Sequence, residues 1–91
     1  MTAQLPLGRV VATPGALNLL AEAREHPFDY LARHATGDWG DLCKYDRRQN
    51  EIALREDYRV LSSYDVPAGR VWIITEADRS ITAILLPEES L

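Results

Sequence analysis

The hydrophobic period of this sequence changes once along the chain, from about 3.6 residues before Arg59 to about 2 residues after it. Apolar residues spaced three and four apart predict helices, whereas strict alternation predicts strands. Helical patterns therefore fill the middle of the chain and strand patterns fill its last third. This separation indicates an α+β domain.

Three helices are predicted before Arg59. Thr13 followed by Pro14 is an N-cap and first-turn pair, so the first helix should begin at Pro14, and Pro27 should end it at His26. The second helix should begin at Pro27 and end at Gly37, with one apolar face made of Phe28, Leu31, Ala32 and Ala35.

The third helix is predicted from Leu42 to about Glu56, with Asp41 or Asp46 as its cap. Its apolar stripe consists of Leu42, Tyr45, Gln49, Ile52 and Ala53.

Four strands complete the expected fold. A weak β-branched segment at residues 7–13 predicts an N-terminal strand, and residues 60–64, 70–76 and 80–86 predict three more. Short turns at residues 67–69 and 77–80 make the last three strands a three-stranded antiparallel meander. The early strand could pair with either edge of that meander.

Both faces of the meander carry apolar residues. On its middle strand, Val71 and Ile73 share one face, whereas Trp72 and Ile74 share the other. Helices can cover one side only, so we expect a loop, the N-terminal segment or another subunit to cover part of the second side. A homodimer is consistent with this pattern.

The length and the composition limit the class of protein. The 91 residues suit a single domain spanning residues 1–91, and a net charge of −4 disfavours a general nucleic-acid binder. No segment has the roughly 20 apolar residues that cross a bilayer, and the chain from Met1 has no secretion signal. A single cysteine, Cys43, suits a reducing compartment, so we expect a cytoplasmic protein.

The sequence contains few candidates for chemistry. His34, Asp38, Asp41 and Cys43 lie within ten residues and include metal-binding donor types. Structural roles explain them better: a cationic His34 ring near the last carbonyls of the second helix, and turn or cap positions for Asp38 and Asp41. Ser62, Ser63 and Ser80 lack the motif of a catalytic serine, and no glycine-rich phosphate loop is present. We therefore expect no enzyme activity, no metal and no cofactor.

Three segments carry a family resemblance: VATPGAL at residues 11–17, LARHATGDWGDL at 31–42 and WIITEADRSITAILLPEE at 72–89. They resemble small bacterial proteins encoded on plasmids and integrated mobile elements, some of which are labelled type I restriction endonuclease subunit M. That label implies an adenine methyltransferase. The chain has no Pro-Pro pair and no glycine-rich cofactor loop, so we expect no such activity.

The resemblance draws attention to two loops. The first loop contains Asp38, Trp39 and Asp41, and the second contains Glu76, Asp78 and Arg79. In one interpretation Trp39 pins a tight turn and the second loop is a hairpin tip held by local hydrogen bonds. In the other, both loops meet at one edge and form an acidic patch on which a partner protein docks.

Two functions remain open. The first is a protein-interaction module of a mobile element whose partner is a host defence complex, such as restriction or CRISPR machinery. The second is a DNA-binding or regulatory factor, for which Arg47, Arg48, Arg55 and Arg59 are the plausible contacts.

Overall fold

The computed structural model describes residues 5–90. The elements, in chain order, are β1 (Arg9–Ala12), α1 (Pro14–Glu22), α2 (Pro27–Ala35), α3 (Lys44–Glu56), β2 (Val60–Val66), β3 (Gly69–Thr75), β4 (Ile81–Leu85) and a 3-10 helix, η1 (Pro87–Glu89). The α+β class is confirmed. The prediction that no secretion signal follows Met1 stays a prediction, because Met1 to Gln4 lie outside the described residues.

The four strands form one mixed sheet in the order β1-β4-β3-β2. Strands β2, β3 and β4 are antiparallel neighbours, but β1 lies parallel to β4, with Arg9 opposite Ile81. The sheet is thus not purely antiparallel. The predicted order of elements, a strand, three helices and a meander, also lacked η1, which follows β4 and begins at Pro87.

The first helix begins as predicted and ends four residues early. The Thr13 side chain accepts a hydrogen bond from the Ala16 amide, which caps α1. The helix ends at Glu22 instead of continuing to His26, because Arg24 adopts a left-handed conformation with φ 59°. The Glu25 amide then donates to the Leu20 carbonyl at 2.9 Å, which satisfies the helix end.

The second helix begins at Pro27 as predicted, and His26 caps it by accepting a hydrogen bond from the Phe28 amide. Its buried face differs from the predicted one. Phe28 is 70% exposed, and the buried residues are Tyr30, Leu31 and His34. The hydrophobic pattern failed here because a polar residue, His34, occupies the core.

The third helix extends over Lys44–Glu56 with Cys43 at its N-cap, and no side chain caps it. Neither Asp41 nor Asp46 has the predicted capping role. Asp41 instead forms an ion pair with Arg70, and Asp46 lies in the first helical turn.

The helices pack against one face of the sheet through two buried clusters, and α3 also lies along the β2 edge, where the Asn50 side chain exchanges two hydrogen bonds with the Leu61 backbone. The larger cluster includes Leu20, Tyr64, Val71, Ile73 and Ile84. The smaller one contains Leu5, Trp39, Ala53 and Val60. Within residues 5–90, no helix has both the length and the hydropathy needed to span a membrane.

Candidate functional site

The loop between α2 and α3 is fixed against the outer edge of the sheet. Gly40 forms a parallel bridge with Ser63, the Ser63 amide donates to the Trp39 carbonyl at 3.0 Å, and the Asp41 amide donates to the Ser63 carbonyl at 2.7 Å. Trp39 is only 8% exposed and packs in the smaller core cluster. The indole therefore anchors the loop and offers a partner little surface.

A polar cleft of about 350 Å³ opens beside this loop, lined by Arg33, Asp38, Gly40, Asp41, Tyr64 and Asp65. Arg33 lies over the Tyr64 ring at 4.6 Å and donates to Asp38 at 2.7 Å. That hydrogen bond holds the pKa of the Asp38 carboxyl below its ordinary value. Arg70 pairs with Asp41 at 2.9 Å and with Asp65 at 2.7 Å. The cleft is therefore a solvent-exposed set of paired charges.

A separate polar feature is a chain of hydrogen bonds buried in the core. The Thr82 hydroxyl donates to the Leu7 carbonyl at 2.7 Å, so the hydroxyl of Thr75 must donate to Thr82 Oγ1. Thr75 Oγ1 then accepts from His34 Nε2–H at 2.8 Å. His34 Nδ1 is left to accept from the Ser62 hydroxyl at 2.6 Å.

These hydrogen bonds fix His34 as the neutral tautomer that carries its proton on Nε2. The ring is fully buried, and burial lowers the pKa of His34 from 6.5 to about 4. The role proposed for His34 from sequence, a cationic ring near the end of a helix, is therefore wrong. Both ring nitrogens are used within the core.

The four residues considered for metal binding do not form one cluster, although Asp38 and Asp41 line the same cleft. His34 is buried, Cys43 is exposed at the N-cap of α3, and Asp38 and Asp41 pair with different arginines. Over residues 5–90 no group of three or more histidine, cysteine or acidic residues has the arrangement of a metal site.

The second loop lies at a different place in the fold. Glu76 pairs with Arg59 at 3.2 Å, and Asp78 accepts hydrogen bonds from the Ser80 amide and hydroxyl. The guanidinium of Arg79 donates to the carbonyls of Tyr58 and Ala53, at 2.6 and 2.9 Å. The second loop is therefore fastened to the C-terminal end of α3.

The two loops share no hydrogen bond or ion pair within the described part of the chain. The first loop lies beside Ser63, in the middle of β2, whereas the second lies beyond Val60, at the start of that strand. Asp38 and Asp41 line the cleft together, and Glu76 and Arg79 lie near the end of α3.

Arg79→Ala should lower the free energy of unfolding by about 2 kcal/mol, because a side chain that is only 14% exposed donates to the Ala53 carbonyl in the last turn of α3 and to the Tyr58 carbonyl beyond the helix. Urea denaturation followed by circular dichroism measures this change. Arg48→Ala is the control, since Arg48 lies on the exposed side of α3, and we expect it to change stability by less than about 0.5 kcal/mol. Equal stability of the two variants would contradict a stabilising role for the hydrogen bonds between Arg79 and the end of α3.

One surface was not assigned to the site from sequence. We call it the open face: the side of the sheet opposite the helices, with the apolar residues Val11, Leu61, Trp72, Ile74, Ile81, Ala83 and Leu85. All seven residues are half-buried or exposed, and Val11 is 41% exposed. Among residues 5–90 no helix lies over it. The alternation of the sequence already predicted that Trp72 and Ile74 lie on a second apolar face, which a loop, the N-terminal segment or another subunit should partly cover, but these residues were not among the predicted site residues.

The open face has a charged row at each end. The pairing of the strands places Arg9, Arg59 and Glu76 at one end of the face, near the start of β4. Asp65 and Arg70 lie at the opposite end, where Asp41 also pairs with Arg70. An apolar centre with a polar rim is the usual anatomy of a protein interface.

Comparison with known proteins gives no match to a family model, to a curated protein or to a solved structure.

Proposed function

We propose that this protein is a non-enzymatic protein-interaction module and that the open face is its contact surface. The observation that carries the proposal is the position of Trp72, a large aromatic residue that is only half-buried at the centre of an apolar sheet face. Tryptophan is enriched among the residues that contribute most to binding, and exposed contiguous apolar surface marks interaction sites.

Several side chains that could act as a nucleophile, base or acid are buried or paired within the fold, and this supports a non-enzymatic role. Ser62 and His34 form a close pair that resembles a nucleophile and its base, but both side chains are fully buried. The Asp38 and Asp41 carboxylates in the cleft are paired with arginines. Burial also raises the pKa of Tyr64 to about 12, so its hydroxyl is a donor to the Asp38 carbonyl at neutral pH.

The family resemblance of the three sequence segments suggests the class of partner. A small acidic protein of a mobile element meets the host's defence machinery in the cytoplasm, so we propose a restriction or CRISPR complex as the partner. Anti-defence activity of this kind requires binding alone and no cofactor.

The DNA-binding alternative has less support. Arg47 donates to the carbonyls of Leu42 and Gly40, and Arg59 pairs with Glu76. Two of the four arginines that could contact phosphates are thereby used within the fold. Binding of duplex DNA that weakens steeply with salt would favour this alternative.

The test is a restriction assay in a host that carries a type I restriction system or a CRISPR system. We expect the protein to raise the transformation efficiency of a targeted plasmid, and we expect Trp72→Asp to abolish that effect. Loss of a tryptophan anchor weakens a complex by about 30-fold, which corresponds to about 2 kcal/mol.

Phe28→Asp is the matched control, because Phe28 is an exposed aromatic residue on α2, away from the sheet. Circular dichroism should show that both variants are folded. If the wild-type protein leaves restriction and CRISPR interference unchanged, the anti-defence role is excluded. If Trp72→Asp and Phe28→Asp both retain activity, the open face is not the contact surface.

A further inference from the structure

The occupant of the open face can be inferred from its charge pattern and its area. Among the residues that strand register places on this face, the Arg9 end carries Arg9, Arg59 and Glu76, a net charge of +1, because two arginines accompany one carboxylate. The opposite end carries Asp41, Asp65 and Arg70, with a net charge of −1. A surface with opposite charges at its two ends is suited to bind a second copy of itself in a reversed orientation.

The charges lie at diagonal corners of the face. Arg9 is on β1, at one edge of the sheet, and no carboxylate of residues 5–90 lies within ion-pair distance of it. Asp65 is on β2, at the opposite edge and the opposite end, and it shares Arg70 with Asp41. One corner therefore has an unpaired cation, and the other has an excess carboxylate.

A two-fold axis in the plane of the interface, perpendicular to the line from Arg9 to Asp65, satisfies both corners at once. This axis brings Arg9 of each copy onto Asp65 of the other, and on strand and row spacings of about 4.8 and 6.7 Å the strands of the two sheets cross at about 70°, close to the orthogonal class of sheet packing. The same rotation brings Trp72 of each copy onto Ala83 of the other, so the largest side chain faces the smallest. Ile74 and Leu85 lie close to the axis, so each comes near its own counterpart.

We propose that the open face is the interface of a homodimer with this near-orthogonal, two-fold arrangement. The proposal rests on the proposed function, since it concerns the same surface: the second copy occupies the open face in the free protein and has to leave before a host complex binds there. Four strands about 4.8 Å apart, with four rows of side chains about 6.7 Å apart, cover about 500 Å² per copy. The total buried area of about 700–1,000 Å² is that of a weak interface, so the dimer should dissociate in the micromolar range.

Sedimentation equilibrium of the full chain from about 1 to about 300 µM tests the dimer. We expect the average mass to rise from 10.3 kDa toward twice that value. Arg9→Asp and Asp65→Arg should each weaken association by at least about tenfold. The double variant, which exchanges the two charges, should restore it to within about threefold of wild type. Phe28→Asp should associate as the wild type does.

The outcomes separate this inference from the proposed function. A monomer over the whole range overturns the homodimer, whereas loss of anti-defence activity in Trp72→Asp would still support the open face as the contact surface for another protein. A dimer whose two single variants are not rescued by the double variant overturns the near-orthogonal arrangement. If the protein dimerises and the double variant restores association, but the protein has no anti-defence activity, the homodimer is supported and the host partner is excluded.

Discussion

Gly40→Ala should lower the free energy of unfolding by about 3–5 kcal/mol, enough to unfold a large fraction of a domain of this size. A Cβ atom at this position would lie 2.2 Å from the Ser63 carbonyl oxygen and 2.6 Å from Cδ1 of Tyr64. The backbone also has φ +76°, which costs an L-residue about 1–2 kcal/mol. Neither neighbour can move easily, because one is strand backbone and the other is a buried ring.

Gly37→Ala is the matched control for this substitution. Gly37 has φ +92° in the same loop, but an added Cβ would meet no atom within 4 Å. We therefore expect only the conformational cost, about 1–2 kcal/mol. Thermal and urea unfolding of the two variants measures the difference. Equal losses would show that the loop does not lie against β2 as closely as the Gly40–Ser63 bridge requires.

Acidification from pH 7 to pH 4 should remove about 3 kcal/mol of stability through His34 alone. Burial holds the pKa of His34 at about 4 in the folded state, against 6.5 for an unperturbed imidazole. Between these two values the unfolded chain binds a proton that the folded chain does not. Stability contributed by the neutral ring is thus complete above pH 6.5 and falls by about 1.4 kcal/mol per pH unit down to pH 4.

The measurement is urea denaturation at half-unit pH intervals. His34→Gln should flatten the slope between pH 6.5 and 4, although it lowers stability at pH 7 because Ser62 and Thr75 lose well-placed partners. His26→Asn retains a capping side chain at α2 and should keep the wild-type slope. The Asp38 carboxyl, whose pKa is lowered from 3.8 by its hydrogen bond with Arg33, keeps its stabilising effect through this range and loses it only as the pH falls below 3.8. An unchanged slope in His34→Gln would rule out the buried neutral histidine.

The elements that the sequence predicts well are those fixed by local chemistry. Thr13 with Pro14 and the proline at position 27 mark helix starts through their own side chains and backbone, and the structure confirms both starts. Strands β2, β3 and β4 lie within two residues of the predicted bounds. The end of α1 was missed because Arg24, a residue with no preference for a left-handed conformation, adopts one.

Features that depend on distant contacts could not be predicted. The partners of His34 are Ser62 and Thr75, 28 and 41 residues further along the chain, so no local pattern shows that this polar side chain is buried. The pairing of β1 with β4 was left open for the same reason. For the candidate site, the two tryptophans illustrate the limit: Trp39 lies in the core and Trp72 faces outward, and the difference depends on which sheet face the helices cover.

The parallel pairing of β1 with β4 has a consequence for synthesis of the protein on the ribosome. Arg9 pairs with Ile81, and the Thr13 hydroxyl donates to the Glu89 carboxylate across 76 residues. A nascent chain can form its helices early, but its first strand has no neighbour until the residues of β4 leave the exit tunnel. Contacts this distant in sequence slow folding, so we expect completion of the sheet to be a late step.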